Sequence, residues 1–431
     1  MSWHRMRLLF PVLLAMALLM AAPLALAQSP ESDLPDQVDQ TALPGFNDYV
    51  IPELPQGVLE DFQDDEGAFT WKPGVVLLYD WNAIDQDAVT EAAVGAQGHE
   101  DEWRAIRFTN RGRIGHSGKL TYLLSFEYKG FNKNPGDPDW SWTDIQLKYN
   151  FGAAGSLMVG KVKEASVYEM VGDSANLPHQ ERVLSPFFQS RSVGVNWLRT
   201  WGGERGTLEL GAYNDAWSQP GDVDLGERGN HLAARITGLA WWHDDGARFL
   251  HLGANVRHVE DNDGILNFRG RPASNVLPNY VNTGDFAADS ADFLGLEALW
   301  NHGPVSVLGE WVVNQVDAPL HGDPRFHGWY VTGSWVLTGE TRPYDRKVGY
   351  ARRVLPEGHW GAVELIGRVG GADLSDAGID GGAFRIATLG ANWWASRRLK
   401  MGVQWTRTDL DAPGGGSGST DAIQTRLQWV Y

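Results

Sequence analysis

The chain has 431 residues, of which 20 are Trp and none is Cys, and its formal net charge at pH 7 is −18. The lack of Cys excludes a disulfide framework, and the acidic balance excludes the basic surface with which proteins bind nucleic acid. Trp is used heavily for a soluble protein. It is favoured at a membrane–water interface, where the indole ring is in apolar surroundings and its N–H stays hydrated.

The N-terminus predicts export from the cytoplasm. Arg5 and Arg7 precede the apolar run LLFPVLLAMALLMAAPLALA, which ends in small residues before Gln28. This pattern is typical of a secretory signal peptide, residues 1–27, with cleavage after Ala27. A retained membrane anchor is the alternative, but the Ala-rich end and the missing charged flank argue against it.

Residues 28–70 form an acidic, Pro-rich stretch with eleven Asp or Glu and neither Lys nor Arg. No periodicity is present, so we expect a disordered periplasmic leader. A docking arm for a periplasmic partner is the alternative. Half of the formal net charge of the chain lies before Trp71 and therefore says little about the folded part.

From residue 71 to residue 431 the chain repeats segments of about ten residues in which apolar and polar side chains alternate. In GWYVTGSWVLTGE (328–340), Trp329, Val331 and Trp335 share one parity. In KLTYLLSFEYKG (119–130), Leu123 is the one apolar residue on the polar parity. We predict strands at 72–81, 103–115, 119–129, 142–151, 155–163, 191–200, 206–213, 231–242, 247–258, 292–301, 304–314, 327–338, 360–370, 384–394, 398–408 and 421–431. The stretch RKVGYARRV (346–354) is assigned to a loop.

These segments predict an all-β fold, a transmembrane antiparallel β-barrel of about 16 strands. Apart from the signal peptide, no stretch approaches the ~18 apolar residues of a spanning helix, so an exported chain could cross a membrane only as a closed barrel. The polar parity is rich in Asn, Gln, Ser and Thr, which suits a hydrated lumen, and the Trp-rich parity then faces lipid. A large soluble β-protein with an inward Trp face is the alternative.

The last strand gives an independent indication. IQTRLQWVY (423–431) places apolar or aromatic residues at two-residue steps and ends on Tyr431. This resembles the terminal strand of outer-membrane barrels, which the barrel assembly machinery recognises. The alternative, a sheet edge in a periplasmic protein, would leave exposed aromatic residues that favour aggregation.

Several stretches, in their order along the chain, resemble the phosphate-selective porin O and P family. The most specific is FHGWYVTGSWVLTGETRPY (326–344), followed by WGAVELIGRVGGADLSD (360–376) and TLGANWW (388–394). VGKVKEASVYEM (159–170) and FRGRP (268–272) fit the same pattern. The resemblance implies a sixteen-stranded outer-membrane barrel, commonly a homotrimer, whose third loop folds inward to narrow the pore.

The resemblance also implies a pore lined by cations, which replace the hydration of an anion. Arg107, Arg111 and Arg113 share the parity expected to face the lumen. Lys161 and Lys163 share a parity opposite Met158 and Val162. The candidates for pore lining or anion contact are Arg107, Arg111, Arg113, Lys148, Lys161, Lys163, Arg182 and Arg191. Each of them could instead pair with a nearby carboxylate, and with only nine Lys among 36 basic residues a dense lysine constriction is not evident.

The expected function is that of an outer-membrane porin through which small hydrophilic solutes diffuse passively, including anions such as phosphate or polyphosphate. A plugged barrel used for binding, adhesion or as an enzyme scaffold is the alternative. No His-Glu-x-x-His or Gly-x-Ser-x-Gly motif is present, so we assign no catalytic, cofactor-binding or metal-ligating residue. The expected partners are outer-membrane lipids, the solutes and the other copies of a trimer, with the N-terminus in the periplasm.

Overall fold

The structure is a computed structural model that describes residues 62–63, 68–128, 140–214 and 229–431. The predicted signal peptide and most of the predicted leader lie outside these residues. Phe62–Gln63, within the predicted leader, pair antiparallel with Thr70 and Trp71. Among the described residues, no helix is long and apolar enough to cross a membrane.

Sixteen antiparallel strands form a closed barrel, as the alternation predicted. Each strand pairs with the next along the chain, and the last pairs with the first, with Val76 opposite Val430. The strands are β1 (Thr70–Gln86), β2 (His99–Ile114), β3 (Leu120–Tyr128), β4 (Trp140–Asn150), β5 (Ser156–Val162), β6 (Ser192–Trp201), β7 (Gly206–Asn214), β8 (Gly229–His243), β9 (Arg248–Asp261), β10 (Ser290–His302), β11 (Val305–Asp317), β12 (Arg325–Val336), β13 (Ala362–Asp376), β14 (Ile379–Trp394), β15 (Leu399–Asp411) and β16 (Ser417–Val430).

The tryptophans of β12 face outward. The side chain of Trp335 is 52% exposed, whereas Tyr330 is 0% and Thr332 2% exposed. The other strands have the same arrangement, which is the reverse of that in a soluble protein. Their exposed large side chains are apolar, and their buried side chains include many Arg, Lys, Glu, Gln and Asn. An outward apolar band around a polar interior is the arrangement of a membrane barrel. The predicted lipid-facing orientation of this strand is therefore confirmed.

The two ends of the barrel differ in their connections. β1 begins and β16 ends at one end, named here the terminal end, and the opposite end is the loop end. At the terminal end the connections are short turns, except for residues 337–361 between β12 and β13, named here the terminal-end segment. This segment contains the stretch 346–354, which the sequence assigned to a loop, and holds a short hairpin in which Tyr344–Asp345 pair with Tyr350–Ala351.

The longest described connections at the loop end are residues 163–191, named here the inward loop, and residues 262–289. The inward loop contains a short helix (Tyr168–Val171), and residues 262–289 contain two short strand pairs, Ile265–Leu266 with Phe286–Ala287 and Arg269–Gly270 with Val281–Asn282. A helix at Ala88–Val94 follows β1. The main hydrophobic cluster lies inside the barrel and includes Phe187 of the inward loop, Phe268 and the wall residue Phe326. The predicted inward fold of the third loop is thus confirmed.

Candidate functional site: the constriction inside the barrel

The first turn of the inward loop is fixed by a wall carboxylate. Glu310 of β11 accepts hydrogen bonds from the backbone N–H groups of Tyr168, at 2.5 Å, and Glu169, at 3.0 Å. It also accepts one from the hydroxyl of Tyr330 at 2.9 Å. These backbone N–H groups begin a short helix and have no partner within it, so the carboxylate satisfies them and holds the loop inside the lumen.

The far side of the inward loop is anchored by arginines. Arg426 of β16 pairs with Asp80 of β1 and Glu181 of the loop, and it donates to the carbonyl of Gln180. Arg104 of β2 pairs with the same Glu181 at 2.7 Å. The two guanidinium groups hold the pKa of Glu181 far below its ordinary value, although burial alone would raise that pKa. This carboxylate therefore stays charged and fixes the loop to the wall.

Two of the predicted cations, Arg107 and Arg191, also pair with carboxylates of the lumen. Arg107 lies 3.0 Å from both Glu127 of β3 and Asp173 of the inward loop. Arg191 pairs with Asp144 of β4 at 3.0 Å. Buried ion pairs of this kind hold elements in position, and their charges are largely compensated.

Lys163 and Arg182 converge on one backbone carbonyl. The Lys163 ammonium donates to the carbonyl oxygens of Val171 at 3.2 Å and Gly172 at 2.8 Å. Arg182 donates to the Gly172 oxygen at 3.3 Å and to the Glu169 oxygen at 2.7 Å. Burial, and then the charge of Arg191, hold the pKa of Lys163 well below its ordinary value. Within the described residues neither cation forms an ion pair, so their positive charge is the least compensated in the loop.

The terminal-end segment meets the inward loop inside the lumen. The ring of Tyr350 packs against Tyr168 with centroids 4.9 Å apart, and the Ala351 N–H donates to the Tyr168 hydroxyl. Gly172 lies directly against the Tyr350 ring. Arg235 of β8 donates to the carbonyls of Val348 and Gly349 and so ties the segment to the wall. Both inward elements therefore meet at one level of the barrel.

A space of about 40 Å³ remains between the two inward elements and the wall formed by β3 to β7. By the volume that one water needs, it holds roughly three waters. Its lining combines both signs of charge with apolar side chains. The lining residues are Leu123, Asp144, Gln146, Met158, Val162, Lys163, Glu164, Val171, Gly172, Asp173, Asn196, Glu209, Val348, Tyr350 and Arg352. We name this space the constriction cavity.

A family model described as phosphate-selective porin O and P matches residues 84–431, which is most of the chain. The chain belongs to the phosphate-selective porin O and P family. It is a bacterial outer-membrane porin, and its closed barrel with an inward third loop agrees with this assignment. A comparison with curated protein sequences gives no match.

Solved porins share the fold of this porin O and P member at low sequence identity. The anion-selective porin of Comamonas acidovorans has a TM-score of 0.53 and 13% identity, covering 84% of this chain and 100% of its own. The outer-membrane channel DcaP of Acinetobacter baumannii has a TM-score of 0.56 and 11% identity, covering 86% and 100%. OmpT of Vibrio cholerae, in a trimer form, has a TM-score of 0.51 and 10% identity, covering 84% and 100%. At these identities the similarity shows the fold.

The cations that the sequence predicted to line the pore differ in where they lie relative to the constriction cavity. Lys163 lines the constriction cavity, Lys148 is buried in the wall opposite Met158, and Arg182 lies beside Lys163. Arg111 and Arg113 lie toward the terminal end of β2, where Arg113 is exposed, so they are not brought to the cavity.

Lys161 is not among the residues that line the constriction cavity. Lys161 is in register with Ile145, which is 44% exposed on the outer face, and it shares the parity of the exposed Val159, but Lys161 itself is only 6% exposed. Met158 and Val162 instead face the lumen and line the constriction cavity. β5 has apolar residues on both parities, so alternation could not decide which face of this strand is lipid-facing.

Sequence reasoning missed the terminal-end segment and Arg104. The sequence did indicate the segment, because barrels have short turns at one end and longer loops at the other, and residues 337–361 are a long connection at the end with short turns. Arg104 occupies a bulge, since Leu78 pairs with Ala105 and Tyr79 with Trp103, and a bulge cannot be read from alternation. In the part of the chain that the structure describes, no group of three or more His, Cys, Asp or Glu could hold a metal ion.

Proposed function

We propose that this porin conducts small anions, inorganic anions such as phosphate among them, and that Lys163 and Arg182 form the contact that favours anions at the constriction. The supporting observation is that both cations donate to the Gly172 carbonyl, while Arg107 of β2 and Arg191 of the inward loop pair with carboxylates. An ammonium in this position has lost water without gaining a carboxylate. An anion that enters the cavity therefore stabilises the charged lysine.

The remaining predicted candidates have supporting roles in this proposal. Arg107 and Arg191 keep Asp173 and Asp144 neutralised, so that these carboxylates do not repel an anion. Lys148, Arg111 and Arg113 add positive charge to the lumen wall on either side of the constriction. Lys161 has no role at the constriction.

The orientation and assembly follow the same proposal. The terminal end faces the periplasm, with the mature N-terminus there after removal of residues 1–27 and with residues 28–70 as a leader before the barrel. The functional unit is a homotrimer, supported by the trimeric form of OmpT among the solved porins of this fold. Membrane lipids cover the outer apolar band, and the barrel assembly machinery inserts the chain through its aromatic last strand.

The test is ion selectivity of purified protein in planar lipid bilayers. A reversal potential in a KCl gradient that reports chloride preference is the expected result. Lys163→Gln should lower the chloride-to-potassium permeability ratio by about fivefold, because one charge at 4 Å contributes about 1 kcal/mol in water.

The matched control is Lys119→Gln. It removes the same charge from an exposed lysine in a terminal-end turn and should leave the ratio unchanged. Cation preference in the wild type, or an equal effect of the two substitutions, would refute the assignment of anion contact to Lys163. Lys163→Arg keeps the charge and should keep the selectivity.

A further inference from the structure

Two apolar side chains face the lumen at the constriction, where a porin wall is ordinarily polar. Leu123 of β3 is 5% exposed and Met158 of β5 is 3% exposed, and both line the constriction cavity. Leu123 is the residue that broke the alternation of its strand in the sequence. Neither side chain is explained by passage of a bare inorganic anion, which gains nothing from apolar surface.

The strand register brings these two side chains to one patch of wall. Leu123 is opposite Gln146, Gln146 is opposite Gly160, and Lys148 is opposite Met158. Gly160 has no side chain, so the wall is open between Met158 and Val162. Val171 of the inward loop and Val348 of the terminal-end segment line the same cavity. Apolar surface is thus contributed by three separate elements around one space.

The charged part of the lining is contiguous with this apolar patch. Lys163 lines the cavity with its ammonium at the Gly172 carbonyl, and Arg352 lines it from the terminal-end segment. Four carboxylates also line it. Asp144, Asp173 and Glu164 are paired with Arg191, Arg107 and Arg257 respectively. Glu209 accepts a hydrogen bond from the Asn196 side chain at 2.8 Å. The cavity therefore presents a cationic contact next to an apolar one.

We propose that the constriction binds organic monocarboxylates with an unbranched apolar body in preference to phosphate, with the carboxylate at Lys163 and the hydrocarbon against Leu123 and Met158. This inference rests on the proposed anion conduction. Phosphate loses hydration on entry and recovers it only from the cations, whereas a hydrocarbon body also gains from leaving water. The small volume of the cavity requires the solute to pass lengthwise, which disfavours branched chains.

The test is inhibition of chloride current through the purified full-length protein in planar bilayers. Acetate, butyrate, hexanoate and phosphate are added at constant ionic strength, and the concentration for half-inhibition is measured. Partial burial of the methylenes should make hexanoate about tenfold more effective than acetate. Phosphate should inhibit no better than acetate. Independence of chain length, or stronger inhibition by phosphate, overturns the inference.

Substitutions at one position provide the matched control. Met158→Gln keeps the length of the side chain and makes it polar, so it should reduce the ratio between acetate and hexanoate to about threefold or less. Met158→Leu keeps the apolar surface and should retain the ratio, which also controls for partition of hexanoate into the bilayer. Equal ratios in both variants contradict the role of this side chain.

The two proposals fail in different ways in this experiment. Cation selectivity of the wild-type channel removes anion conduction and, with it, the carboxylate site. Anion selectivity without dependence on chain length removes the carboxylate site and leaves anion conduction intact.

Discussion

Substitution of Gly172 by Ala tests whether the inward loop and the terminal-end segment are in direct contact. A Cβ at Gly172 would lie 1.8 Å from both Cζ and Oη of Tyr350. The backbone of Gly172 is extended, with φ −73° and ψ 165°, so alanine introduces no backbone strain. The three atoms nearest to the added Cβ all belong to Tyr350, so the main effect of the substitution comes from this contact.

The size of the effect follows from the geometry. To reach an ordinary contact of 3.4 Å, the ring must withdraw by about 1.6 Å. The ring is 2% exposed and packs on Tyr168, so it cannot turn aside without losing that contact. Overpacking of this kind costs about 1–3 kcal/mol. The terminal-end segment should shift away from the inward loop, and single-channel conductance should rise.

A double-mutant cycle with Tyr350→Ala separates this contact from other effects. Unfolding in urea, followed by tryptophan fluorescence in lipid or detergent, gives the free energy for each variant. Tyr350→Ala alone should cost about 3–5 kcal/mol, and Gly172→Ala should then add almost nothing, because the clashing atoms are gone.

The control is Gly358→Ala in the same segment, where nothing lies within 4 Å of the added Cβ and where stability and conductance should stay unchanged. If Gly172→Ala destabilised the protein equally with and without the Tyr350 ring, the two elements would not be in contact as described.

Three further outcomes are expected. Arg426→Gln leaves the buried Asp80 without its guanidinium and Glu181 with that of Arg104 alone, so it should cost about 3–5 kcal/mol in unfolding. Arg407→Gln, at an exposed pair on the outer face, should cost less than about 1 kcal/mol, and similar costs would contradict the anchoring of the loop. Val331→Arg on the lipid face should cost about 2–4 kcal/mol, and Leu320→Arg in an exposed loop-end turn almost nothing, with equal costs arguing against the orientation of the wall. Burial and the charge of Arg368 lower the pKa of His179 in the inward loop to about 4. As the pH falls from 6.5 to 4, the unfolded chain therefore binds a proton on His179 before the folded chain does, and the free energy of unfolding should decline across that window. His179→Gln should remove that part of the decline.

Much of the barrel could be predicted from alternation, since a strand with one apolar face has only one sensible register in a membrane wall. All sixteen strands lie at their predicted positions, with ends that differ by a few residues. Where one parity of a strand was clearly apolar, the side chains also face the predicted way: Trp335 of β12 faces outward and Arg107 of β2 faces the lumen. In β5 the alternation does not decide the facing of the side chains, because both parities there contain apolar residues.

The candidate site could be predicted only in part. Lys163 and Arg182 were identified as cations at the inward loop, and the structure brings them to one carbonyl. No neighbouring residue in the sequence indicated that the charge of Arg107 would be neutralised by carboxylates while that of Lys163 would not. That difference depends on carboxylates from other strands, such as Glu127, which are distant in sequence.

The sequence by itself determined the barrel and its strand order, because these follow from a two-residue period, and its first residues predict an export signal from local composition. Only the tertiary structure decided what fills the lumen. The inward loop and the terminal-end segment meet at Gly172 and Tyr350, which are far apart in the chain, and Leu123 and Met158 share a wall only through strand register. Contacts between distant segments depend on closure of the barrel, and no period in the sequence records them.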